Sequence, residues 1–299
     1  EEILWEKISK DDNYKNSLKT AHKYIAIVQA DGDNVGKLIK LIYDTNAGLI
    51  TEFSKTLSQF SLEAVKVITK YGGEPVYAGG DDLLFFTPII TKDENVFNLL
   101  SNIDEIFKDK LLNNEDLKEA LNQLTETTDE CGQKLKPPSM SYGLSVTYYK
   151  YPMHEALNAA RKLLFEEAKS NDKNAIAYIL QKHSGQSFED VISKESEFYK
   201  LFRNMLNNKD KNLISSLLYN LENQKFILKE IIEQEYRLDN FFDNFYDEDI
   251  HKKNKDFIDK LKKMIFITHK ETEGDIDKTL KKVYSALRFV KFINRKNDE

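Results

Sequence analysis

The chain has 299 residues, 40% hydrophobic and 11% aromatic, with Lys+Arg 44 against Asp+Glu 50 and a net charge of -6. That is roughly two domains of chain, enough to bury cores without disulfides; the single cysteine, Cys131, excludes a disulfide framework and cysteine-rich zinc sites. No apolar run approaches the ~20 residues of a membrane helix, and the acidic balance argues against a broad, sequence-blind nucleic-acid binder while leaving room for a local basic channel. With no signal peptide in view, a cytoplasmic protein without membrane contact is expected.

Proline and glycine usage divides the chain. All five prolines and ten of the eleven glycines precede residue 186, and only Gly274 lies beyond it. Residues 1–185 are therefore expected to form a mixed α+β domain with a short N-terminal extension. Residues 186–299 are expected to be all-helical and free of strands, since Leu201 and Met205, Ile214, Leu217 and Leu221, Phe257, Leu261 and Met264, and Leu280, Tyr284 and Leu287 keep helical spacing.

In chain order, Tyr24–Ala30 is apolar on both alternating faces, the pattern of a central strand, and stops at Asp31-Gly32-Asp33. The stretch after this triplet, through Gly36, reads as a loop. From Thr51 to Lys70 the residues Phe53, Leu57, Phe60, Ala64, Val67 and Ile68 recur at helical spacing until Gly72-Gly73 ends the helix. Two short strands, Glu74–Ala78 and Leu83–Thr87, flank Gly79-Gly80-Asp81-Asp82, a tight turn whose glycines can take positive φ. A second helix is expected from about Asn95. Ser139–Tyr149 alternates Met140, Tyr142, Leu144, Val146 and Tyr148 with Ser139, Ser141, Gly143, Ser145 and Thr147, which predicts a half-buried strand. Pro152 opens a further helix that ends in Ala168-Lys169, and Asn174–Leu180 reads as one more strand.

The series β-α-β-β-α-β is the ferredoxin-like arrangement, here with an extra helix and strand. In it the first and third strands are adjacent and antiparallel, so Asp31 is expected to face Asp81 and Asp82. Carboxylates converging from two strand ends suit a hard divalent cation, Mg²⁺ or Mn²⁺, which takes oxygen ligands and keeps positions for water and phosphate. Two such ions can activate a ribose hydroxyl and stabilise a leaving pyrophosphate. Gly32, Gly36, Gly79 and Gly80 would leave the backbone bare for a nucleotide.

DGDNVGKLI at 31–39, YAGGDDLLFF at 77–86 and the stretch from Ser139 to Gly185 resemble the GGDD-bearing palm of the large subunit of type III CRISPR effector complexes. More distantly they resemble GGDEF and class III nucleotidyl cyclases. The resemblance implies a palm domain over residues 1–185, a helical C-terminal domain over 186–299, and an enzyme that joins ATP into cyclic oligoadenylate when the complex binds target RNA. It implies that Asp31, Asp81 and Asp82 are catalytic and hold the metal, with the Gly32 carbonyl, and that Gly32, Asp33, Gly36, Gly79, Gly80 and Lys169 bind nucleotide. Lys173 stands where the related cyclases often carry Arg, without Arg's bidentate fork. Other type III CRISPR subunits with guide and target RNA are the implied partners.

Two other readings stay open: a stand-alone palm enzyme making a cyclic dinucleotide, and a catalytically silent scaffold subunit. Two bare, mutually repelling carboxylates have little structural purpose without a cation, which disfavours the scaffold. A homo-oligomer is also compatible with the sequence. His183, beside Ser184-Gly185, reads as a turn residue, and the Lys-rich stretch at Lys252, Lys253, Lys255, Lys260, Lys262 and Lys263 as a solvated helix face.

Overall fold

A computed structural model of the protein describes residues 19–128, 132, 134–170, 173–206, 211–245 and 254–295; Cys131, Lys252 and Lys253 lie outside them. The chain divides into two compact units, one formed by Tyr24–Lys194 and the other by Glu195 onward together with the segment ending at Lys23.

The first unit is built on a six-stranded mixed sheet: β1 (Tyr24–Asp33), β2 (Glu74–Gly79), β3 (Asp82–Pro88), β4 (Ser139–Tyr148), β5 (Ala175–Gln181) and β6 (Ser187–Ser193), in the spatial order β2-β3-β1-β4-β5-β6. Neighbours run antiparallel except β4 and β5, which are parallel. The first four strands have the expected ferredoxin-like order. Its helices are α1 (Val35–Asn46), α2 (Ile50–Tyr71), α3 (Val96–Phe107), α4 (Lys118–Glu126) and α5 (Met153–Lys162).

One sheet face carries Ala26, Val28, Ala30, Leu83, Phe85 and Tyr142, all buried, and α2 and α3 cover it. The Tyr142 hydroxyl donates to Leu100 O at 3.3 Å and to Asp104 Oδ1 at 2.7 Å. On the other face Ile27 packs with Ala156 and Ala160 of α5, flanked by Leu84 and Phe86. Gly72, at φ +99, caps α2 with its N–H on Ile68 O and Thr69 O. Asn95 opens α3 through its side chain, which accepts from Phe97 N.

Three features differ from the expectations. The stretch after Asp33 is not a loop but α1, whose Val35, Leu38 and Ile42 are buried on one stripe; Gly36 sits in its first turn. Strand β4 is buried on both faces, because the small Ser139, Ser141, Gly143, Ser145 and Thr147 let α5 descend onto the sheet. A Cβ at Gly143 would lie 2.6 Å from Leu164 N and 3.1 Å from the Ala160 carbonyl carbon. The region beyond residue 186 opens on a strand, β6, which pairs with β5 across a turn carrying Gly185 at φ +84. An edge strand with one dry face can hold polar Glu189 and Asp190 among Phe188, Val191 and Ile192, which hides it from a hydrophobic count.

The described part of the second unit is helical from Glu197: α6 (Glu197–Met205), α7 (Lys211–Asn223), α8 (Lys225–Ile231), α9 (Glu235–Phe245), α10 (Lys255–Glu271) and α11 (Ile276–Asn294). Its core includes Phe198, Phe202, Leu217, Leu221, Leu261, Met264, Leu287 and Phe289. Ser196 and Asp275 cap α6 and α11 through their side chains. Within the lysine-rich stretch, Lys260 pairs with Asp256 at 2.6 Å, Lys262 with Asp239 at 3.1 Å and Asp243 at 3.4 Å, and Lys263 with Glu197. None of the described helices is long and apolar enough to cross a membrane.

Candidate active site

The strand register assembles the site. Ala30 of β1 lies opposite Leu83 of β3, so one step further along both strands Asp31 stands opposite Asp82. The two-residue periodicity then puts Asp31 and Asp33 on the face of Ile27, and Asp82 on the face of Leu84 and Phe86. This is the face that α5 covers. Strand β1 runs through the Asp31-Gly32-Asp33 triplet and pairs with Ser141, Met140 and Ser139 of β4, so the acids sit within a paired strand rather than on a loop past its tip.

Gly79 pairs with Asp82 across a two-residue turn of Gly80 and Asp81, and of its glycines only Gly80 takes positive φ, at +66. Gly79 and Gly32 have another purpose. A Cβ at Gly79 would meet the Tyr77 ring Cζ at 2.8 Å, and one at Gly32 would meet Val35 Cγ2 at 2.6 Å and Asp81 Cβ at 2.8 Å. Asp81 therefore lies on Gly32, where it accepts hydrogen bonds from the backbone N–H of Gly32 and from its own. Burial pushes its carboxyl above the usual range, and the charges of Asp82 and Asp33 add to the rise. Burial also raises Asp82.

Lys169 reaches this point from the end of α5. The helix widens into a π-helix over Leu163–Ala168, closed by Lys169 N–H on Leu164 O, five residues back, at 3.0 Å. The ammonium forms an ion pair with Asp31 Oδ2, donates to Gly32 O at 3.0 Å, and lies 4.0 Å from Asp33 Oδ1. The Lys169 and Asp31 side chains are each only 19% exposed. Burial first, and then the Lys173 cation, pull the ammonium down to about 8.

Asp33 is 1% exposed. Its Oδ2 accepts from Ser139 Oγ at 2.8 Å, Ser141 Oγ at 2.7 Å and Asn174 N at 2.8 Å, while its buried Oδ1 has no hydrogen-bond partner. Such a carboxylate holds protein together, and the nucleotide contact expected for it is not available to a side chain this enclosed. Next to it Asn34, at φ 60, donates to Lys136 O at 2.9 Å and accepts from Lys173 Nζ at 2.9 Å. Lys173 and Asn174 also lie in the left-handed region, at φ 61 and 46. Three such non-glycine residues in contact mark a turn that its surroundings hold in place. Sequence reasoning assigned no part in the site to Asn34, Ser139, Ser141 or Asn174. Alternating small polar residues on β4 were the available signal for the serines.

Among the described residues no three His, Cys, Asp or Glu side chains converge on one point. The oxygens that meet are one carboxylate and one main-chain carbonyl, Asp31 Oδ2 and Gly32 O, with a cation already on both. Asp82 starts the adjacent strand. A few hard oxygens around a positive charge, with the remaining directions open to solvent and phosphate, fit Mg²⁺ or Mn²⁺. Gly36 and Gly80 face open space, with no atom within 4 Å of a Cβ built on either.

The model of the Cas10/Cmr2 second palm domain matches residues 24–177. Cmr subunit Cmr2 of the Pyrococcus furiosus CRISPR system is 26% identical over 197 residues, which is 58% of this chain and 20% of that protein. The Csm1–Csm4 cassette solved in complex with cA4 superimposes at a TM-score of 0.54 with 13% identity, over 91% of this chain and 37% of the matched one. A GGEEF domain of a Vibrio cholerae diguanylate cyclase reaches a TM-score of 0.31 at 17% identity, over 52% of this chain and 83% of the domain. The chain thus spans about a fifth of the length of the curated relative it matches. With the family model covering just over half of the residues, among them both acidic motifs and Lys169, the chain belongs to the Cas10/Cmr2 second palm domain family.

Proposed function

We propose that this site is a divalent-metal nucleotidyltransferase centre that joins ATP into cyclic oligoadenylate, in the cytoplasm and within a type III CRISPR assembly holding guide and target RNA. The observation that carries the reading is the meeting of Asp31 Oδ2, Gly32 O and the Lys169 ammonium at the end of β1, beside the turn that holds Asp81 and the start of β3 at Asp82. Family membership supports it, as does the likeness in fold to the Csm1–Csm4 cassette, which was solved in complex with cA4.

In this reading Asp31, the Gly32 carbonyl and Asp82, with Asp81 beside them, hold one or two Mg²⁺ or Mn²⁺ ions. When bound, such ions lower the pKa of a ribose hydroxyl and offset charge on the departing pyrophosphate. The chain's own residues bind and orient. Lys169 supplies an ammonium to phosphate oxygens. Gly80 and Gly36 leave room for a nucleotide to approach the backbone. Asp33 and Asn34 fix the turn through Lys173 and Asn174 that comes after Lys169.

The test is incubation of the protein with each radiolabelled NTP and Mn²⁺, alone and assembled with partner subunits and target RNA. ATP is expected to yield phosphatase-resistant oligomers. A ring of two nucleotides would point to the cyclic dinucleotide reading, and no product from any NTP in the assembled complex would point to the scaffold.

A further inference from the structure

The Lys169 ammonium and a divalent cation would use the same two oxygens. Asp31 Oδ2 and Gly32 O both contact Lys169 Nζ, and Asp33 Oδ1, buried and without a hydrogen-bond partner, lies 4.0 Å from it. A divalent cation seated on those oxygens would meet the ammonium already there, and two like charges a few ångströms apart in a partly buried site repel. The side chain that fills the position is unbranched, on the residue that closes the π-helix, and a lysine's flexible stem lets its ammonium turn from one anion to another.

We infer that Lys169 is an exchangeable internal cation: it occupies the Asp31–Gly32 position until a divalent metal displaces it, and the freed ammonium then engages the triphosphate. The inference rests on the function proposed above and adds a regulation of the same site. Its consequence is thermodynamic. Metal binding must break the Lys169 contacts, and nucleotide binding offers the freed ammonium a new anion, so each ligand raises the affinity for the other by the same factor. The site then loads metal and ATP together and resists metal alone.

The experiment uses the full chain, no turnover, and Mn²⁺ as the probe. Free Mn²⁺ is followed by electron paramagnetic resonance with and without α,β-methylene-ATP, in which the scissile linkage is blocked. Lys169→Met keeps the length and apolar stem but removes the competitor, so it should bind Mn²⁺ at least about fivefold tighter than wild type in the absence of nucleotide. In the wild type the analogue should tighten Mn²⁺ binding by a similar factor, and in Lys169→Met that coupling should shrink. Lys173→Met separates exchange from bulk electrostatics, since Lys173 is a nearby cation bonded to Asn34 Oδ1 and not to Asp31; its effect should be clearly smaller. Equal Mn²⁺ affinity in wild type and Lys169→Met, or equal gains from the two Met variants, would overturn the exchange while leaving the metal site standing. Mn²⁺ binding untouched by Asp31→Asn with Asp82→Asn would overturn the metal site itself, and the exchange with it.

Discussion

Replacing Gly143 with alanine puts one methyl group where the backbone of α5 already lies. The new Cβ would meet Leu164 N at 2.6 Å and the Ala160 carbonyl carbon at 3.1 Å, and the carbonyl oxygen of Ala160 closer still. These are main-chain atoms, so no rotamer change relieves them; either α5 lifts from the sheet or β4 bends. Overpacking a dense core costs about 1 to 3 kcal/mol, and contact with backbone puts this substitution at the upper end. In a unit of this size that lowers Tm by roughly 6 to 12 °C. Lifting α5 also carries Lys169 away from Asp31, since Leu164 accepts the N–H of Lys169. The assay is thermal unfolding by circular dichroism, with Gly36→Ala as the contrast. Gly36 has open space around its Cβ position and lies in the first turn of α1, so alanine there should gain about 0.5 to 1 kcal/mol. A Gly143→Ala protein that melts with the wild type, or a Gly36→Ala protein that falls as far, would refute the packing reasoning.

The acids and the lysine give further expected outcomes. Asp33→Ala leaves Ser139, Ser141 and the Asn174 N–H without their acceptor and should cost about 3 kcal/mol in urea unfolding, with Asp33→Asn milder. Asp81 and Asp82 have folded pKa values above the ordinary carboxyl value, so the folded state holds the extra protons; the stability this brings is present at acid pH and lost as pH rises through the folded values. Asp81→Asn should therefore raise Tm at neutral pH, by a margin that closes on acidification, and scans at several pH values will show it. Asp81→Asn combined with Asp82→Asn should abolish incorporation of radiolabelled ATP. Lys169→Ala should mainly raise KM for ATP, by a contact worth about 1.5 to 3 kcal/mol, read from initial rates.

Much of the palm was legible because its signals are local. The apolar run of Tyr24–Ala30, the spacing from Phe53 to Ile68 and the Gly79–Asp82 turn each specify an element, and the chirality and adjacency rules of β-α-β units leave few ways to join them. That placed Asp31 beside Asp82 from the sequence alone. Helix α1 was missed although Val35, Leu38 and Ile42 carry its stripe, because Gly36 in its first turn reads as loop. The two-sided burial of β4 and the existence of β6 depend on what covers a surface, and no local pattern records that. The same holds for Lys169: the family resemblance implied a phosphate contact, but only the π-helix and the descent of α5 onto Gly143 bring the ammonium to Asp31 and Gly32.

Anomalous scattering from crystals grown with Mn²⁺ and α,β-methylene-ATP tests the metal-and-lysine site most directly. The expected result is a Mn²⁺ peak about 2.1 Å from oxygens of Asp31 and Gly32, with Asp82 in reach of the same or a second ion and Lys169 Nζ moved onto phosphate oxygen. Mn²⁺ bound elsewhere, with Lys169 still seated on Asp31 and Gly32, would contradict it.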